Sequence, residues 1–495
     1  MSNQTSRLVC AGCGAAARPV VEDPYPFACR AARPGDDVDH VMHRTLDRSR
    51  LRFPEGNEWN PFLRYRSLLH SYHVSVGPDA GDDETYCGLV EQLDRAVAEV
   101  DGYGFVQTPF APHRALGEQL GFATDADVWI KDETGNVSGS HKARHLMGIM
   151  LYLRVIEQLG LQPAAAPPLA IASCGNAALA AAVVARAAGR PLGVFVPPSA
   201  DPLVVEELQL LGAQMTVCPR GEGVRGDPCY LRFRRFLQEG GLAFSCQGNT
   251  NGLTIEGGST LGWEMIDQLE ETTIDRLFVQ VGGGALASAC IQAFADARHL
   301  GRIERLPRIH AVQTRGGFPL KRAYDRLADR ILARLGRSDR PAAGEDDEER
   351  ADLIRQNALS SVIAEELAHA RRHRSEFMWP WETEPRSIAS GILDDETYDW
   401  AAGVEGMLRT GGYPIVVDED ALGEANRLAR ATTGINVDHT GSAGLAGLMD
   451  VARRRAEVRR EKVAVIFSGV QRSKKPRSRD GDSRPSMTRR RPRAR

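Results

Sequence analysis

The sequence predicts an α/β protein with mostly parallel sheets, and two observations carry the prediction. Between Pro168 and Cys218, short apolar runs at 169–172, 192–196 and 215–217 alternate with helix-like stretches at 177–188 and 202–211. A β-α-β-α-β order implies parallel strands joined by crossover helices, because a short hairpin turn cannot return the chain to the starting end of a strand. Further along, 277–281 and 463–467 are largely apolar, the pattern of strands covered on both faces.

In chain order, residues 1–59 form an N-terminal extension. Cys10 and Cys13 stand in a Cys-x-x-Cys pair and Cys29 follows, which is half the pattern of a zinc ribbon. No second Cys-x-x-Cys comes after it, so a tetrahedral site would have to recruit His40 or His43, and no metal is assigned. The stretch 51–100 is mixed in pattern, with Trp59, Phe62 and Tyr65 expected to close over the core. Residues 60–165 together with 247–470 are assigned to a larger domain and 166–246 to a smaller one. Within the larger part, 334–352 is charge-rich and broken by Gly and Pro, which reads as a surface insertion. Residues 471–495 carry eleven Lys/Arg against two Asp without apolar periodicity, the composition of a basic disordered tail.

Four local features supply the parts that an aldehyde cofactor with a phosphate tail requires. Lys142 follows Ser138, Gly139, Ser140 and His141, after the strand-like 127–133 and at the start of a long apolar-periodic stretch. A partly desolvated lysine there favours its amine form, which condenses with a carbonyl. Gly282, Gly283, Gly284, Ala285 and Leu286 follow a strand and open a helix, where backbone N–H groups and the helix dipole favour a phosphate. Ser173, Cys174, Gly175, Asn176 and Ala177 repeat that layout ahead of an alanine-rich helix. They can hold a carboxylate on backbone N–H groups while the Asn176 amide reaches a ring oxygen. Ser468 stands at the C-terminal end of strand 463–467, the edge at which open α/β sheets bind ligands. Each feature has an ordinary reading in isolation, as a solvated lysine, a tight turn or a strand-end hydroxyl. In this order and context they point to pyridoxal phosphate.

On these residues the chain resembles the fold-type II pyridoxal-phosphate enzymes, the group of tryptophan synthase β subunit, threonine synthase, threonine and serine dehydratases and cysteine synthase. The resemblance runs from about Asn60 to about Val470. It implies two open, twisted, mostly parallel sheets flanked by helices, with the cofactor between the larger domain and a smaller, mobile one. It implies that Lys142 carries the cofactor as an imine, that Asn176 contacts the phenolic oxygen, and that Gly282, Gly283, Gly284, Ala285 and Leu286 bind the phosphate. Ser468 would hydrogen-bond the pyridine nitrogen, and Ser173, Cys174, Gly175, Asn176 and Ala177 would take the substrate carboxylate. Asn60 to Tyr65, Gln107 to Phe110 and Glu256 to Glu264 are similar to threonine synthase, whereas Val281 to Leu286 is closer to the dehydratases. Two positions depart from the pattern: His141 stands where an aromatic is usual, and Ala143-Arg144 replaces the Asp-Arg of threonine synthase.

Composition narrows the function classes. In 495 residues, 62 Lys+Arg against 65 Asp+Glu give a formal net charge of −3, so the chain outside its tail carries no nucleic-acid signature. No apolar run approaches the roughly 18 to 20 residues that span a bilayer, and Met1-Ser2-Asn3-Gln4 opens no secretory signal, so a cytoplasmic protein is expected. Nine cysteines, an odd number spread through apolar elements, suit reduced thiols. The expected activity is that of a lyase on a small hydroxy α-amino acid, dehydratase-like, releasing ammonia through an aminoacrylate-type intermediate. Lys142 would take the α-proton. Ser468, a hydroxyl rather than a carboxylate, would leave the pyridine nitrogen unprotonated and favour prompt elimination. A threonine synthase or a β-replacement enzyme is the alternative, with Arg144 and Lys131 the nearby cations for a substrate phosphate. From another class, the alternative is a non-catalytic cofactor-binding or regulatory homologue with the basic tail as its working part, and Lys142, Asn176 and Ser468 together argue against it. The expected partner is a small amino acid with no membrane, and the resemblance implies a homodimer.

Overall fold

The computed structural model describes residues 5–76, 81–221, 226–270, 272–337, 342, 346–358 and 360–472. In chain order its strands are β1 (Ser6–Cys10), β2 (Met42–Leu46), β3 (Phe110–Pro112), β4 (Val128–Asp132), β5 (Leu169–Ala172), β6 (Leu192–Val196), β7 (Gln214–Val217), β8 (Leu242–Ala243), β9 (Arg276–Gln280), β10 (Arg308–Thr314), β11 (Ile415–Val417) and β12 (Val463–Phe467). They form a six-stranded sheet in the order β11-β10-β9-β12-β4-β3, a four-stranded sheet β7-β6-β5-β8, and a separate hairpin β1-β2. Apart from the hairpin, every pairing is parallel except β3 against β4. Helices Asn176–Ala187 and Pro202–Leu210 make the crossovers among β5, β6 and β7, as the alternating pattern predicts. β9 and β12 are buried along their whole length, which is why both are mainly apolar.

Register decides where the chemistry collects. Val128 of β4 lies beside Val463 of β12, and Val463 lies beside Arg276 of β9. The C-terminal ends of three parallel strands therefore share one edge. From that edge emerge the turn leading to Lys142, Ser468, and the glycine run after β9.

Two helices behind this edge approach more closely than side chains allow. A Cβ on Gly148 of helix Lys142–Gln158 would meet the Gly257 Cα of helix Thr254–Gln268 at 2.7 Å, and one on Gly257 would meet the Arg144 carbonyl oxygen at 2.3 Å. The stretch Glu256 to Glu264, similar to threonine synthase in sequence, thus serves helix packing here. Asn60 to Tyr65 also packs: Asn60 caps helix Pro61–Arg64 by accepting from the Phe62 N–H at 2.9 Å, and the Tyr65 hydroxyl donates to Asp267 at 2.7 Å.

A fully buried ion cluster joins the same helices to β4. The Arg144 guanidinium donates to Glu133 at 2.9 Å and to Glu264 at 2.6 Å, and Lys131 Nζ donates to Glu264 at 2.6 Å and to the Thr108 carbonyl at 2.8 Å. Asn136 Nδ2 and Thr108 Oγ1 donate to the remaining Glu133 lone pairs. Charges this deep are tolerated only when each is paired and hydrogen-bonded.

Two expectations need correction. Trp59 is 59% exposed, so only Phe62 and Tyr65 of the three aromatics are buried. The described part of the charge-rich stretch 334–352 is not simply a surface insertion, while 338–341 and 343–345 lie outside the described residues: Arg334 ends helix Pro319–Arg334, and helix Asp347–Gln356 packs against that helix and helix Trp400–Thr410. Glu348 accepts from Arg276 of β9 at 2.8 Å and from Arg308 of β10 at 2.7 Å, while Arg350, Ala351 and Ile354 are buried. Two arginines side by side on parallel strands require that carboxylate. Of the expected basic disordered tail 471–495, Gln471 and Arg472 are placed, with Arg472 bonded to Asn176 and Glu207, and 473–495 lie outside the described residues. No described helix is long and apolar enough to cross a membrane.

Glycine substitutions separate packing from propensity. Gly148→Ala is expected to lower unfolding free energy by about 1 to 3 kcal/mol through overpacking. Gly88→Ala, in the exposed face of helix Asp83–Asp101 with nothing within 4 Å of the new methyl, should raise it by about 0.5 to 1 kcal/mol. Urea denaturation of both variants checks the two signs.

Candidate active site

Lys142 is the first residue of helix Lys142–Gln158 and is half-buried. The approach to it is tied down on both sides. The Glu133 N–H donates to the Phe467 carbonyl at 2.8 Å, and after a tight turn with φ 57° at Ser138 the Val470 N–H donates to the Gly139 carbonyl at 2.9 Å. The turn that presents the lysine is thus laced to the end of β12. Within electrostatic reach of its ammonium are Asp394, Asp399, Cys246, His141 and His145.

The glycine run after β9 turns into helix Ala285–His299, with Gly284 at φ +97°, a conformation that side chains other than glycine rarely adopt. Ala285 and Leu286 fill the buried first turn, and Ser288 in that turn carries a buried hydroxyl without a partner. A distant segment covers the run. Thr397 Oγ1 donates to the Gly282 carbonyl at 3.0 Å, the Asp399 N–H donates to the Gly283 carbonyl at 2.9 Å, and the Asp394 carboxylate accepts from the Gly283 N–H. Burial pushes Asp394 up to about 6 and Asp399 up to about 7, with the Lys142 charge pulling both back.

Ser173, Cys174, Gly175, Asn176 and Ala177 form the half-buried link from β5 into helix Asn176–Ala187. The first-turn N–H groups have no intrahelical acceptor, which suits a carboxylate. The Asn176 amide is held from both ends: its Oδ1 accepts from Arg472 at 3.3 Å, and the side chain bonds to Asp438, a carboxyl that burial raises to about 6. Burial also raises the Cys174 thiol, with Asp227 adding to the effect.

Ser468 is 3% exposed, and its Oγ accepts from the His141 backbone N–H at 3.1 Å while also meeting His141 Nδ1 in a short hydrogen bond. Burial and the nearby Lys142 charge hold His141 well below its ordinary range, so the ring is neutral. The hydroxyl has a single proton. If it donates to Nδ1, it offers a ligand only lone pairs; if Nδ1 carries the hydrogen, the hydroxyl proton is free for a ring nitrogen.

The edge therefore gathers Lys142, Asn176, Ser468 and the Gly282–Gly284 turn, and leaves other candidates outside. Lys131 and Arg144 point into the buried ion cluster. His145 Nδ1 donates to the Thr254 carbonyl at 2.7 Å, and burial holds the ring down to about 3. Asp394, Asp399, Asp438 and Arg472 had no local signal, and His141 was marked only as a departure from the pattern. Their roles depend on contacts across long sequence separations, 327 residues for His141 with Ser468.

The residues fit pyridoxal phosphate. A carboxylate accepts from the glycine turn, so its N–H groups are available to an anion. A Cβ on Gly282 would fill the cradle, meeting Asp394 Oδ2 at 2.5 Å and Ile392 Cα at 2.8 Å. The model of the pyridoxal-phosphate dependent enzyme family matches residues 103–357. The chain belongs to this family. Among relatives of this PLP-dependent enzyme, threonine synthase of Methanocaldococcus jannaschii is 22% identical over 365 residues, covering 73% of this chain and 74% of the relative. L-serine dehydratase of Saccharomyces cerevisiae is 32% identical over 221 residues, covering 43% of this chain and 63% of the relative. The structure of maize serine racemase shares the fold, with a TM-score of 0.51 and 19% identity over 78% of this chain and 94% of that one.

Asp399 makes stability depend on pH. Its folded-state pKa is raised from 3.8 to about 7, so its contribution is fully present below the ordinary value and is lost as pH rises through about 7. In the cofactor-free protein, Asp399→Asn should flatten the fall of unfolding free energy across this window by a few kcal/mol. Denaturant unfolding at a series of pH values reads the slope; equal slopes in parent and variant would contradict the assignment.

Proposed function

We propose that this PLP-dependent enzyme is an ammonia-lyase acting on a small hydroxy α-amino acid, serine or threonine, and releasing the matching 2-oxo acid. The observation that carries this reading is the buried ion cluster. Arg144 and Lys131, the cations a phosphorylated substrate would call upon near the lysine, are neutralised by Glu133 and Glu264 away from the edge. The L-serine dehydratase relative and the sequence of the glycine turn support the same reading. A second reading, threonine synthase-like, is favoured by one contact: Arg472 brings a guanidinium to Asn176 beside the carboxylate loop, although Glu207 lies 3.3 Å from it.

When bound, pyridoxal phosphate supplies an aldehyde for imine exchange and a ring that delocalises electrons from Cα. In our reading Lys142 would hold the cofactor through its side-chain amine, and that amine would take the proton from Cα of the substrate. The N–H groups of Ser173 to Ala177 hold the substrate carboxylate. Asn176 orients the ring through its amide, which Arg472 and Asp438 keep from rotating. Gly282, Gly283, Gly284, Ala285 and Leu286 would hold the phosphate, where the Gly283 N–H now donates to Asp394. Ser468 sets the ring nitrogen's hydrogen bond, and the His141 tautomer decides whether that hydroxyl donates. The division into a larger body and a smaller, mobile 166–246, a homodimeric assembly and a cytoplasmic location belong to the same proposal.

Purified enzyme given L-serine or L-threonine alone is expected to release ammonia and 2-oxo acid, measured by a coupled dehydrogenase assay. Formation of threonine and phosphate from O-phosphohomoserine, with no ammonia from either amino acid, would instead establish the second reading. Borohydride reduction should leave the label on the peptide containing Lys142, and Lys142→Ala should lose at least about 100-fold in rate. Asn176→Ala should raise the barrier by about 1 to 3 kcal/mol. A labelled enzyme inert towards every amino acid would indicate a cofactor-binding homologue.

A further inference from the structure

The N-terminal extension brings together four side chains that the catalytic reading does not use. Cys10, Cys13, Cys29 and His40 come from separate stretches of chain, yet their ligand atoms all lie within 4.8 Å of one another. Two edges of this group are short: Cys10 Sγ to His40 Nδ1 is 3.5 Å and Cys13 Sγ to Cys29 Sγ is 3.6 Å. Around a tetrahedral zinc with Zn–S about 2.3 Å and Zn–N about 2.0 Å, the S···S edge is about 3.8 Å and the S···N edge about 3.5 Å. A disulfide between Cys13 and Cys29 would need about 2.0 Å. We propose that Cys10, Cys13, Cys29 and His40 bind a structural zinc ion.

The backbone builds this arrangement without help from a metal. β1 ends at Cys10, and the turn to Cys13 is closed by Gly14 N–H donating to the Cys10 carbonyl at 2.9 Å. Ala11 N–H donates to the Val41 carbonyl at 2.8 Å, which sets His40 beside the turn just before β2. Gly12 permits the approach, since a Cβ there would meet the Asp39 carbonyl oxygen at 2.4 Å. The imidazole is oriented for coordination: His40 Nε2 faces Asp36 Oδ2 at 3.2 Å, which leaves Nδ1 for the metal. A carboxylate on the far nitrogen of a ligating histidine fixes its tautomer and ring plane. The missing second Cys-x-x-Cys, which left this region without an assigned metal in the sequence, is replaced by one cysteine and this histidine.

Four protein ligands close the coordination shell, so the ion has a structural role. It would hold the loop between Cys13 and Cys29 against the catalytic body, where the Pro24 carbonyl accepts from the Tyr152 hydroxyl at 3.0 Å and the Phe27 carbonyl accepts from the Gly252 N–H at 3.2 Å. Tyr152 belongs to the helix that begins at Lys142.

The test uses the full chain with its cofactor, purified under reducing conditions without added metal. Mass-spectrometric elemental analysis should find one zinc per chain. Cobalt exchange should give the intense visible bands and thiolate charge-transfer absorption of a tetrahedral sulfur-rich site. Cys13→Ser and Cys29→Ser should lose the metal, whereas Cys87→Ser, outside the cluster, should keep it. Trace metal in the parent, a weak octahedral cobalt spectrum, retention of metal by both cluster variants, or a Cys13–Cys29 disulfide in the native protein would overturn the proposal. The parent's cobalt spectrum decides the matter even if the variants fail to fold.

Discussion

The placement of Lys142 depends on a cluster of buried charges. Arg144 lies two residues beyond Lys142, and its guanidinium binds Glu133 at the end of β4 and Glu264 in the neighbouring helix. Those bonds fix the first turn of helix Lys142–Gln158 to the sheet edge and to the helix behind it. Lys131 supplies the second positive charge that balances the two carboxylates. Breaking such a cluster on one side leaves an uncompensated buried charge, a cost of about 3 to 5 kcal/mol. The cluster therefore gives positional definition, and its cations are withdrawn from contact with substrate.

Around the lysine the protein places groups whose charge state is adjustable. Asp394 and Asp399 are raised by burial into the range where they gain or lose a proton near neutrality. Asp394 sits on an N–H of the glycine turn as a carboxyl that readily becomes neutral. His141, by contrast, is held neutral and acts on Ser468 through its tautomer. An acidic cover thus lies over the glycine turn, and an imidazole lies behind the Ser468 hydroxyl.

The N-terminal extension is coupled to this edge by packing. The ring of Phe27 meets that of Tyr152 at 6.0 Å, and Arg44 of β2 donates to Asp296 in the helix that follows the glycine turn at 2.7 Å. Order in the extension thus bears on two helices whose first turns form the site. A cluster of three thiols and one imidazole at the base of the hairpin is well placed to maintain that order.

The sequence by itself determined the strand and helix alternation, the parallel sheet, and the place of the four candidate segments after strand ends. Each of these is a local pattern: apolar runs of strand length, glycines before a helix, a lysine after a Gly-Ser turn. Residues 169–172, 192–196 and 463–467 fold as their hydrophobic period requires, since burial on both faces leaves few alternatives. The tertiary structure alone decided which charges face the site and which are consumed inside. Arg144 and Lys131 look available in sequence because Glu264 is far along the chain, and Trp59 looks buried because hydrophobicity carries no direction. The acidic stretch at 346–352 reads as an insertion until Glu348 meets Arg276 and Arg308. Likewise His40 joins the three cysteines only when β1 and β2 pair. Pairings between groups separated in sequence are set by strand register and helix approach, which no local window contains.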